Sequence, residues 1–172
     1  MKFTLIITLF LAVFNYSFSQ QSDSNAEKIA LEYMKAYGDW DFDRMKTFYA
    51  DNVIFEDPTG TEAFGQAFKF EGKEKVHSFF KGIFKDKFEN DKPPYVSFII
   101  EKTFFSGSHA IINSTFECII PTSWYKQGSD ETVLISVPFV TILQIKNGLI
   151  ESHTDYGDYK KYNTQIQSQL KN

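Results

Sequence analysis

Apolar side chains recur every three or four residues in four segments of this chain, which is the spacing of an amphipathic helix. The first segment ends near Tyr37 and directs Tyr33 inward, and the second begins after a capping residue, Asp41. The third, over residues 73–88, has an aromatic face that can cover a sheet. The fourth, over residues 159–170, has three open interpretations: a lid over a cavity, a dimer contact or an exposed tail.

The remaining apolar segments are short, rich in β-branched and aromatic residues, and separated by turn residues, as strands are. They cover residues 53–56, 95–105, 110–120, 132–145 and 149–156, with a shorter strand near 68–70. The dipeptide Asn147-Gly148 predicts a tight hairpin between the last two strands. Pro138 predicts a bulge or an edge in the strand that contains it.

Helices followed by antiparallel strands predict an α+β fold, with the N-terminal helices packed on one face of a strongly curved, mostly antiparallel sheet. A curved sheet wrapped on a long helix forms a cone, and the mouth of a cone is a natural site for a small molecule. Aromatic residues make up 17% of the chain, and so many of them either pack a core or line an apolar pocket. The formal net charge of −4 disfavours nucleic acid as a partner.

Residues 1–19 have the pattern of a secretory signal, with a charged start, an apolar stretch over residues 3–14 and a small-x-small cleavage site at 17–19. The apolar stretch is too short to span a bilayer, and no later stretch approaches the roughly 20 apolar residues of a transmembrane helix. We therefore expect one exported domain over residues 20–172, secreted or periplasmic, that does not associate with membrane once the leader is removed. The single cysteine, Cys118, excludes an intrachain disulfide.

A carboxylate at the end of a short apolar strand, Asp57, is the first candidate for chemistry. Asp57 is followed by proline and, at the third position, by Gly60, which is the pattern of a type I turn, so one interpretation is a local turn. The other is that Asp57 faces a ligand as a proton acceptor, together with Tyr33 on the first helix. Phe55, on the same strand, then contacts the ligand.

A second group of candidates lies on later strands. Strand alternation puts His153 and Asp155 on one face, which is either a cavity wall with an acid–base pair or an exposed surface. No metal is expected, because two such residues are too few to hold one. Glu117 is either a buried acid with a raised pKa or a residue on the solvent side. Trp124 lies either at a pocket rim or in surface packing.

The order helix, helix, strand, helix, sheet, together with the segments 33–43 and 51–60, resembles the nuclear transport factor 2-like superfamily. Its nearest look-alikes are SnoaL-like proteins and ketosteroid isomerases, and the resemblance covers the chain beyond the leader. It implies a cone fold, a small hydrophobic ligand, a homodimer and no cofactor. By the isomerase pattern, Asp57 is the general base and Tyr33 donates to the developing oxyanion.

Two departures from these families narrow the expected chemistry. The isomerases place a protonated acid on the third long strand, where this chain has Val140, which cannot donate a hydrogen bond. The ending over residues 148–158 is similar to that of SnoaL-like cyclases and limonene epoxide hydrolases, which implies that Asp155 is catalytic. The Arg and Asp that the hydrolases carry two residues apart fall here at Thr115 and Glu117, so the arginine is missing.

Two hypotheses of function follow. The first is a cofactor-independent isomerase, cyclase or hydrolase with an apolar pocket, in which Asp57, Asp155 and Tyr33 carry the chemistry. Its ligand contacts come from the following residues: Phe55, Glu117, Trp124, Val140 and His153. The second is a non-catalytic module of the same fold, used for ligand binding or for dimeric association.

Overall fold

The computed structural model describes residues 25–88 and 92–170 of the 172-residue chain, so the predicted leader lies outside the described part. The helices are α1 (25–38), α2 (Phe42–Thr47), α3 (Thr61–Phe64), α4 (Lys73–Gly82) and α5 (Tyr159–Leu170). The strands are β1 (Tyr49–Asp57), β2 (Phe68–Glu71), β3 (Val96–Ser106), β4 (His109–Pro121), β5 (Thr132–Lys146) and β6 (Leu149–Gly157). Single-turn 3₁₀-helices follow β1 at Pro58–Gly60 and β4 at Thr122–Trp124.

None of the described helices combines the length and the apolar character that crossing a membrane requires.

The six strands form one open sheet in the order β2-β1-β6-β5-β4-β3. Strands β1 and β6 pair in parallel, and every other neighbouring pair is antiparallel. The helices pack against this mixed sheet, which confirms the predicted α+β cone. The parallel pair has a consequence for the site, because it sets Phe55 of β1 opposite His153 of β6.

Helix α1 lies in the centre of the core. Its residues Ala30, Tyr33 and Ala36 are buried completely, and Tyr37 is buried one turn after Tyr33. Alanine at two of these positions lets the helix approach the sheet closely, while the tyrosines extend across the interior. The aromatic residues of the chain therefore pack around a helix that carries hydroxyl groups into the core.

The hairpin between β5 and β6 is a tight two-residue turn, as predicted. Asn147 and Gly148 both have positive φ values, 52° and 81°, as a type I′ turn requires. Helix α4, by contrast, ends at Gly82 instead of continuing to Phe88. Glycine is a poor helix former, and a turn at Asp86 with a φ of 59° follows.

Pro138 marks an edge and not a bulge. The pairing of β4 with β5 continues through Thr115 and Pro138 without a shift, whereas the pairing of β5 with β6 stops at Phe139. The Pro138 carbonyl accepts from the Asp158 amide beyond the end of β6 at 3.0 Å, so the missing proline N–H faces a side without a strand partner. Proline therefore costs β5 no ladder hydrogen bond.

Helix α5 covers the rest of this β5 edge. Gln165 accepts from the Ser136 amide at 2.8 Å and donates to the Ser136 carbonyl at 2.7 Å. Gln169 pairs with both backbone groups of Leu134 in the same way. Of the three interpretations for this segment, the exposed tail is therefore wrong, because side-chain amides bind α5 to the sheet.

Candidate active site

The cone encloses a cavity of about 410 Å³ between α1, α4, α5 and the inner face of the sheet. Of its 21 lining residues, 15 are aromatic, so the cavity is apolar. Asp57 and Asp155 are the acids in its wall, and no Lys, Arg or His lines it among the described residues. The volume lies in the range of small-molecule sites, roughly 300 to 1,000 Å³.

Asp155 is buried to 1% exposure on β6 and is held by side chains from three other positions in the fold. Its Oδ1 accepts from Thr141 Oγ1 at 2.7 Å and from His153 Nε2 at 2.9 Å. Its Oδ2 accepts from the Tyr37 hydroxyl at 2.9 Å. Strand pairing explains the first contact, because Thr141 lies directly opposite Asp155 on β5.

His153 connects Asp155 to the interior of the core. Because a carboxylate oxygen accepts hydrogen bonds, the 2.9 Å contact with Asp155 Oδ1 assigns the N–H of His153 to Nε2. Nδ1 of His153 then accepts from the Tyr33 hydroxyl at 2.7 Å, and Tyr33 in turn contacts the Tyr49 hydroxyl at 2.5 Å. A continuous chain of buried polar groups thus supports the carboxylate from behind.

Within this network of buried polar groups, Tyr33 and Tyr37 act as hydrogen-bond donors. Burial raises the pKa of Tyr33 well above its usual value, and the neighbouring Tyr49 raises it further. Burial also raises the pKa of Tyr37, with a further contribution from Asp155. Both phenols therefore stay protonated throughout the physiological range, and Tyr37 keeps its hydrogen bond to the carboxylate.

Asp57 is also buried, at 4% exposure, but most of its partners are local. Its Oδ1 accepts from the amides of Thr59 and Gly60, each at 3.0 Å, and from the Thr59 hydroxyl at 2.7 Å. Its Oδ2 accepts from the Tyr159 hydroxyl of α5 at 2.6 Å. Burial raises the pKa of Asp57, although the hydrogen bonds from Tyr159 and Thr59 oppose the shift.

The structure confirms the turn interpretation of Asp57, and it also places this residue in the cavity wall. Phe55 and Trp124 line the same cavity. His153 is completely buried behind Asp155, on the same face of β6 as the alternation predicts.

Four of the predicted site residues lie away from the cavity: His153, which is buried behind Asp155, and Tyr33, Val140 and Glu117. Tyr33 is fully buried in the core, and the tyrosine of α1 that reaches the cavity is Tyr37. Val140 lies on the other face of β5, because the inward side chains of this strand at the same level are Phe139 and Thr141.

Glu117 lies on the outer face of β4, which settles its two readings in favour of the solvent side. It accepts from the Tyr95 hydroxyl at 2.9 Å and from Ser136 Oγ at 3.0 Å. Its neighbours Phe116 and Cys118 line the cavity instead. Burial raises the pKa of the Cys118 thiol to about 12, so this cysteine remains a protonated core residue.

Sequence reasoning missed three residues of the site. Tyr37 shares a helix face with Tyr33, so the helical spacing predicts that both point inward but does not predict which of them reaches the cavity. Side chains alternate between the two faces of a strand, so Thr141 can be predicted to point inward once one inward residue of β5 is known. Tyr159 contacts Asp57 across 102 residues of sequence, and no local pattern indicates that contact.

Within the described ranges, no group of three or more His, Cys, Asp or Glu side chains is arranged to hold a metal ion.

An open α+β cone around an aromatic cavity, with two acids in its wall, is a fold of the nuclear transport factor 2-like class. A family model described as the SnoaL-like domain matches residues 30–153, which is more than half of the chain. The chain therefore belongs to the SnoaL-like family. No curated protein matches it.

Solved structures with the same fold come from several bacteria. A protein from Shewanella putrefaciens named as a SnoaL-like polyketide cyclase has a TM-score of 0.68 and 23% identity, over 83% of this chain and 96% of that one. A phenazine biosynthesis-related protein from Pseudomonas aeruginosa has a TM-score of 0.69 and 13% identity, over 88% and 91% of the two chains. An epoxide hydrolase from M. tuberculosis has a TM-score of 0.62 and 14% identity, over 86% and 93%. At these identities the similarity concerns the fold.

Proposed function

We propose that this protein binds a small hydrophobic molecule in the cavity and removes a proton from it, as an isomerase or cyclase that needs no cofactor. One observation carries the proposal: Asp155 lies in the wall of an apolar cavity while donors on three other residues hold its carboxylate in place. Names of fold relatives, such as the polyketide cyclase from Shewanella putrefaciens, are consistent with this class of reaction.

The hydrogen bonds of Asp155 leave room for a substrate proton. A carboxylate has about four acceptor positions, two on each oxygen. Thr141 and His153 occupy those of Oδ1, and Tyr37 occupies one of those on Oδ2. The second position on Oδ2 is the proton acceptor of the proposal. Fixed donors keep that oxygen oriented without a rearrangement during the reaction.

Asp57 is the second acid–base group of the proposal. Burial raises its pKa, so Asp57 holds a proton more readily than an ordinary aspartate. Two carboxyl groups in different environments divide the roles of base and acid between them. In this scheme Asp155 accepts a proton from carbon and Asp57 returns one to the product, after which proton exchange with water restores both carboxyl groups to their starting states.

Exchange of a carbon-bound proton tests the proposal without knowledge of the natural substrate. The probe is 2-tetralone, a neutral two-ring ketone, and the measurement is deuterium uptake next to its carbonyl in D₂O, followed by NMR. We expect the wild-type protein to accelerate uptake over buffer. We expect Asp155→Asn to lose most of that acceleration, by a factor of about 10² to 10⁴, the usual contribution of a general base.

The matched control is Glu117→Gln, which changes a carboxylate on the outer face of the same sheet. It is expected to exchange the probe at the wild-type rate. Equal rates for wild type and Asp155→Asn, with both proteins folded by circular dichroism, contradict the proposal. Binding of 2-tetralone without any exchange supports the alternative function, a non-catalytic ligand-binding module.

Export and dimerisation are further parts of the proposal. The leader pattern of residues 1–19 supports secretion or a periplasmic location, and N-terminal sequencing of the mature protein tests it by the predicted start at residue 20. The family resemblance supports a homodimer, which light scattering after size exclusion tests. A full-length chain with its leader retained, or a monomer at all concentrations, contradicts the respective part.

A further inference from the structure

The cavity extends well beyond its two carboxyl groups, along the inner face of the sheet. Asp155 lies at one end, where it pairs with Thr141 of β5. The inward side chains of β4 then line the cavity in succession from Phe116 to Ile120. Ile120 lies opposite Val133, eight positions before Thr141 on β5. Eight residues of strand span at most about 26 Å, and the coiling of the sheet shortens the straight path.

A row of aromatic rings lines the cavity over the same length. The Tyr37 ring, whose hydroxyl donates to Asp155, lies 6.5 Å from the Trp40 ring. The Trp40 ring lies 5.2 Å from the Phe84 ring, which lies 5.9 Å from the Trp124 ring. All four rings belong to the cavity wall. A volume of about 410 Å³ distributed over this length makes the space long and narrow.

Both carboxyl groups lie at the same end of this space. Strands β1 and β6 pair in parallel as far as Glu56 and Thr154, the residues directly before Asp57 and Asp155. A polar group of a ligand is costly to bury without a hydrogen-bond partner, and this end supplies carboxyl groups as partners. In the proposed reaction, this end holds a carbonyl group and the C–H group next to it.

The opposite end of the space is apolar. Trp124 borders it, in the 3₁₀-helix that follows β4 beyond Ile120. The hydroxyl groups of Tyr125 and Tyr162 lie in this part of the wall, and they bind each other at 2.9 Å. Trp124 is 38% exposed, so hydrocarbon that covers its ring removes apolar surface from water. This end therefore favours a hydrocarbon group over a polar one.

We propose that the natural ligand is a narrow, elongated molecule with a carbonyl group at one end and an apolar tail that extends to Trp124. The carbonyl end binds at the two acids, and the tail follows the inward residues of β4 past Ile120. This inference rests on the proposed function of the cavity and adds the chemical class of the substrate. A compact ketone such as 2-tetralone occupies only the acid end.

A series of unbranched methyl ketones measures the usable length of the space. The probes are 2-hexanone, 2-octanone and 2-decanone, and the measurement is the dissociation constant of each from an NMR titration of the ¹⁵N-labelled protein. We expect the dissociation constant to fall about threefold for each added CH₂ group, the scale for burying one CH₂. The gain should continue to 2-decanone, because its tail reaches the apolar end.

Two adjacent isoleucines of β4 provide a matched pair of variants. Ile120 lines the cavity, whereas Ile119 lies on the outer face of the strand, opposite the exposed Leu134. Ile120→Phe shortens the space, so we expect it to weaken 2-decanone about tenfold, the cost of two unburied CH₂ groups, and to leave 2-hexanone within about twofold. Ile119→Phe should bind both ketones as the wild type does.

Trp124→Ala supplies a second variant, which decides the question even where Ile120→Phe does not fold. Trp124 lies on a partly exposed 3₁₀-helix, so its replacement leaves the strands of the core intact. We expect 2-decanone to bind about tenfold more weakly and 2-hexanone to stay within about twofold. Tyr156→Ala, which removes an exposed aromatic ring from the outer face of β6, is the control and should change neither.

Three results would overturn the inference: equal affinity of the wild type for 2-hexanone and 2-decanone, an equal loss for both ketones in Trp124→Ala, or no binding of any ketone. None of these outcomes depends on catalysis. Exchange of 2-tetralone without a gain along the ketone series refutes the inference and leaves the proposed reaction intact. A gain along the series combined with unchanged exchange in Asp155→Asn supports the inference and refutes only the proposed reaction.

Discussion

The two carboxyl groups of the cavity differ in how the fold holds them. Asp57 takes three of its hydrogen bonds from its own turn and only one from a distant element, α5. Asp155 takes its hydrogen bonds from side chains on α1, β5 and β6. A turn residue is satisfied wherever the turn forms, whereas the environment of Asp155 exists only in the assembled cone. Asp155 is therefore the carboxyl group whose hydrogen bonds depend on the polar side chains of the assembled core.

We expect the largest difference in the free energy of unfolding between the variants in which each acid is replaced by its amide. Asp155→Asn leaves one of its buried donors facing an amide N–H₂, and we expect a loss of about 3 kcal/mol in the free energy of unfolding. Asp57→Asn should cost about 1 kcal/mol or less, because asparagine caps turns as well as aspartate does. Urea denaturation followed by circular dichroism measures both. A larger loss for Asp57→Asn would reverse the comparison.

The two tyrosines of α1 provide the next test, since only Tyr37 contacts Asp155. Tyr37→Phe should slow exchange of 2-tetralone about tenfold, which corresponds to about 1.4 kcal/mol, the scale of one hydrogen bond to a charged group. Tyr33→Phe should lower stability by about 1 kcal/mol and leave the exchange rate within about threefold. Equal effects of the two variants on exchange would show that the cavity wall has no special role.

A smaller effect is expected at the one long-range contact of Asp57. Tyr159→Phe removes a hydrogen bond that favours the ionised carboxylate, so it should cost about 1 kcal/mol at pH 7. The cost should be smaller at pH 3.5, because lowering the pH shifts the carboxyl group of Asp57 further towards its protonated form. The control for packing of α5 is Tyr162→Phe, which removes another hydroxyl of this helix, one that contacts Tyr125 in the segment after β4. A loss of stability that does not depend on pH would show that the ionisation of Asp57 does not contribute to the effect of Tyr159→Phe.

The smallest effect concerns the pH dependence of stability. Burial raises the pKa of Asp57 in the folded state, so its contribution to stability is fully present below the unfolded pKa of about 3.9 and is lost as pH rises through the folded pKa. Asp57→Asn should therefore cost more at pH 3.5 than at pH 7. Other groups titrate in both proteins and cancel in the difference. A cost that grows with pH would mean that the pKa is lowered.

Much of the fold could be predicted because it depends on local periodicity. Helix α5 has the predicted bounds, and Asn147-Gly148 forms the predicted turn. The face of a strand on which a residue lies was harder to predict, because an error of one position puts Val140 on the inner face in place of Thr141. The depth of a residue was harder still, since Tyr33 and Tyr37 share one face of α1 and only the packing decides which of them reaches the cavity.

The site was predictable only where chemistry and a local pattern coincide. Asp57 carries a turn signature, and Asp155 shares the alternation of β6 with His153. The donors that give these acids different environments come from distant parts of the sequence. Tyr37 lies 118 residues before Asp155, and Tyr159 lies 102 residues after Asp57. Such contacts depend on the parallel pairing of β1 with β6 and on the docking of α5, which no segment specifies alone.

Deuterium uptake by 2-tetralone in the two aspartate variants distinguishes the base from the acid. We expect the uptake rate of Asp155→Asn to fall by a factor of about 10² or more towards the buffer rate, while Asp57→Asn stays within about tenfold of the wild type, because solvent can replace the returning acid but not the positioned base. The opposite order, with uptake lost in Asp57→Asn and retained in Asp155→Asn, would contradict this expectation.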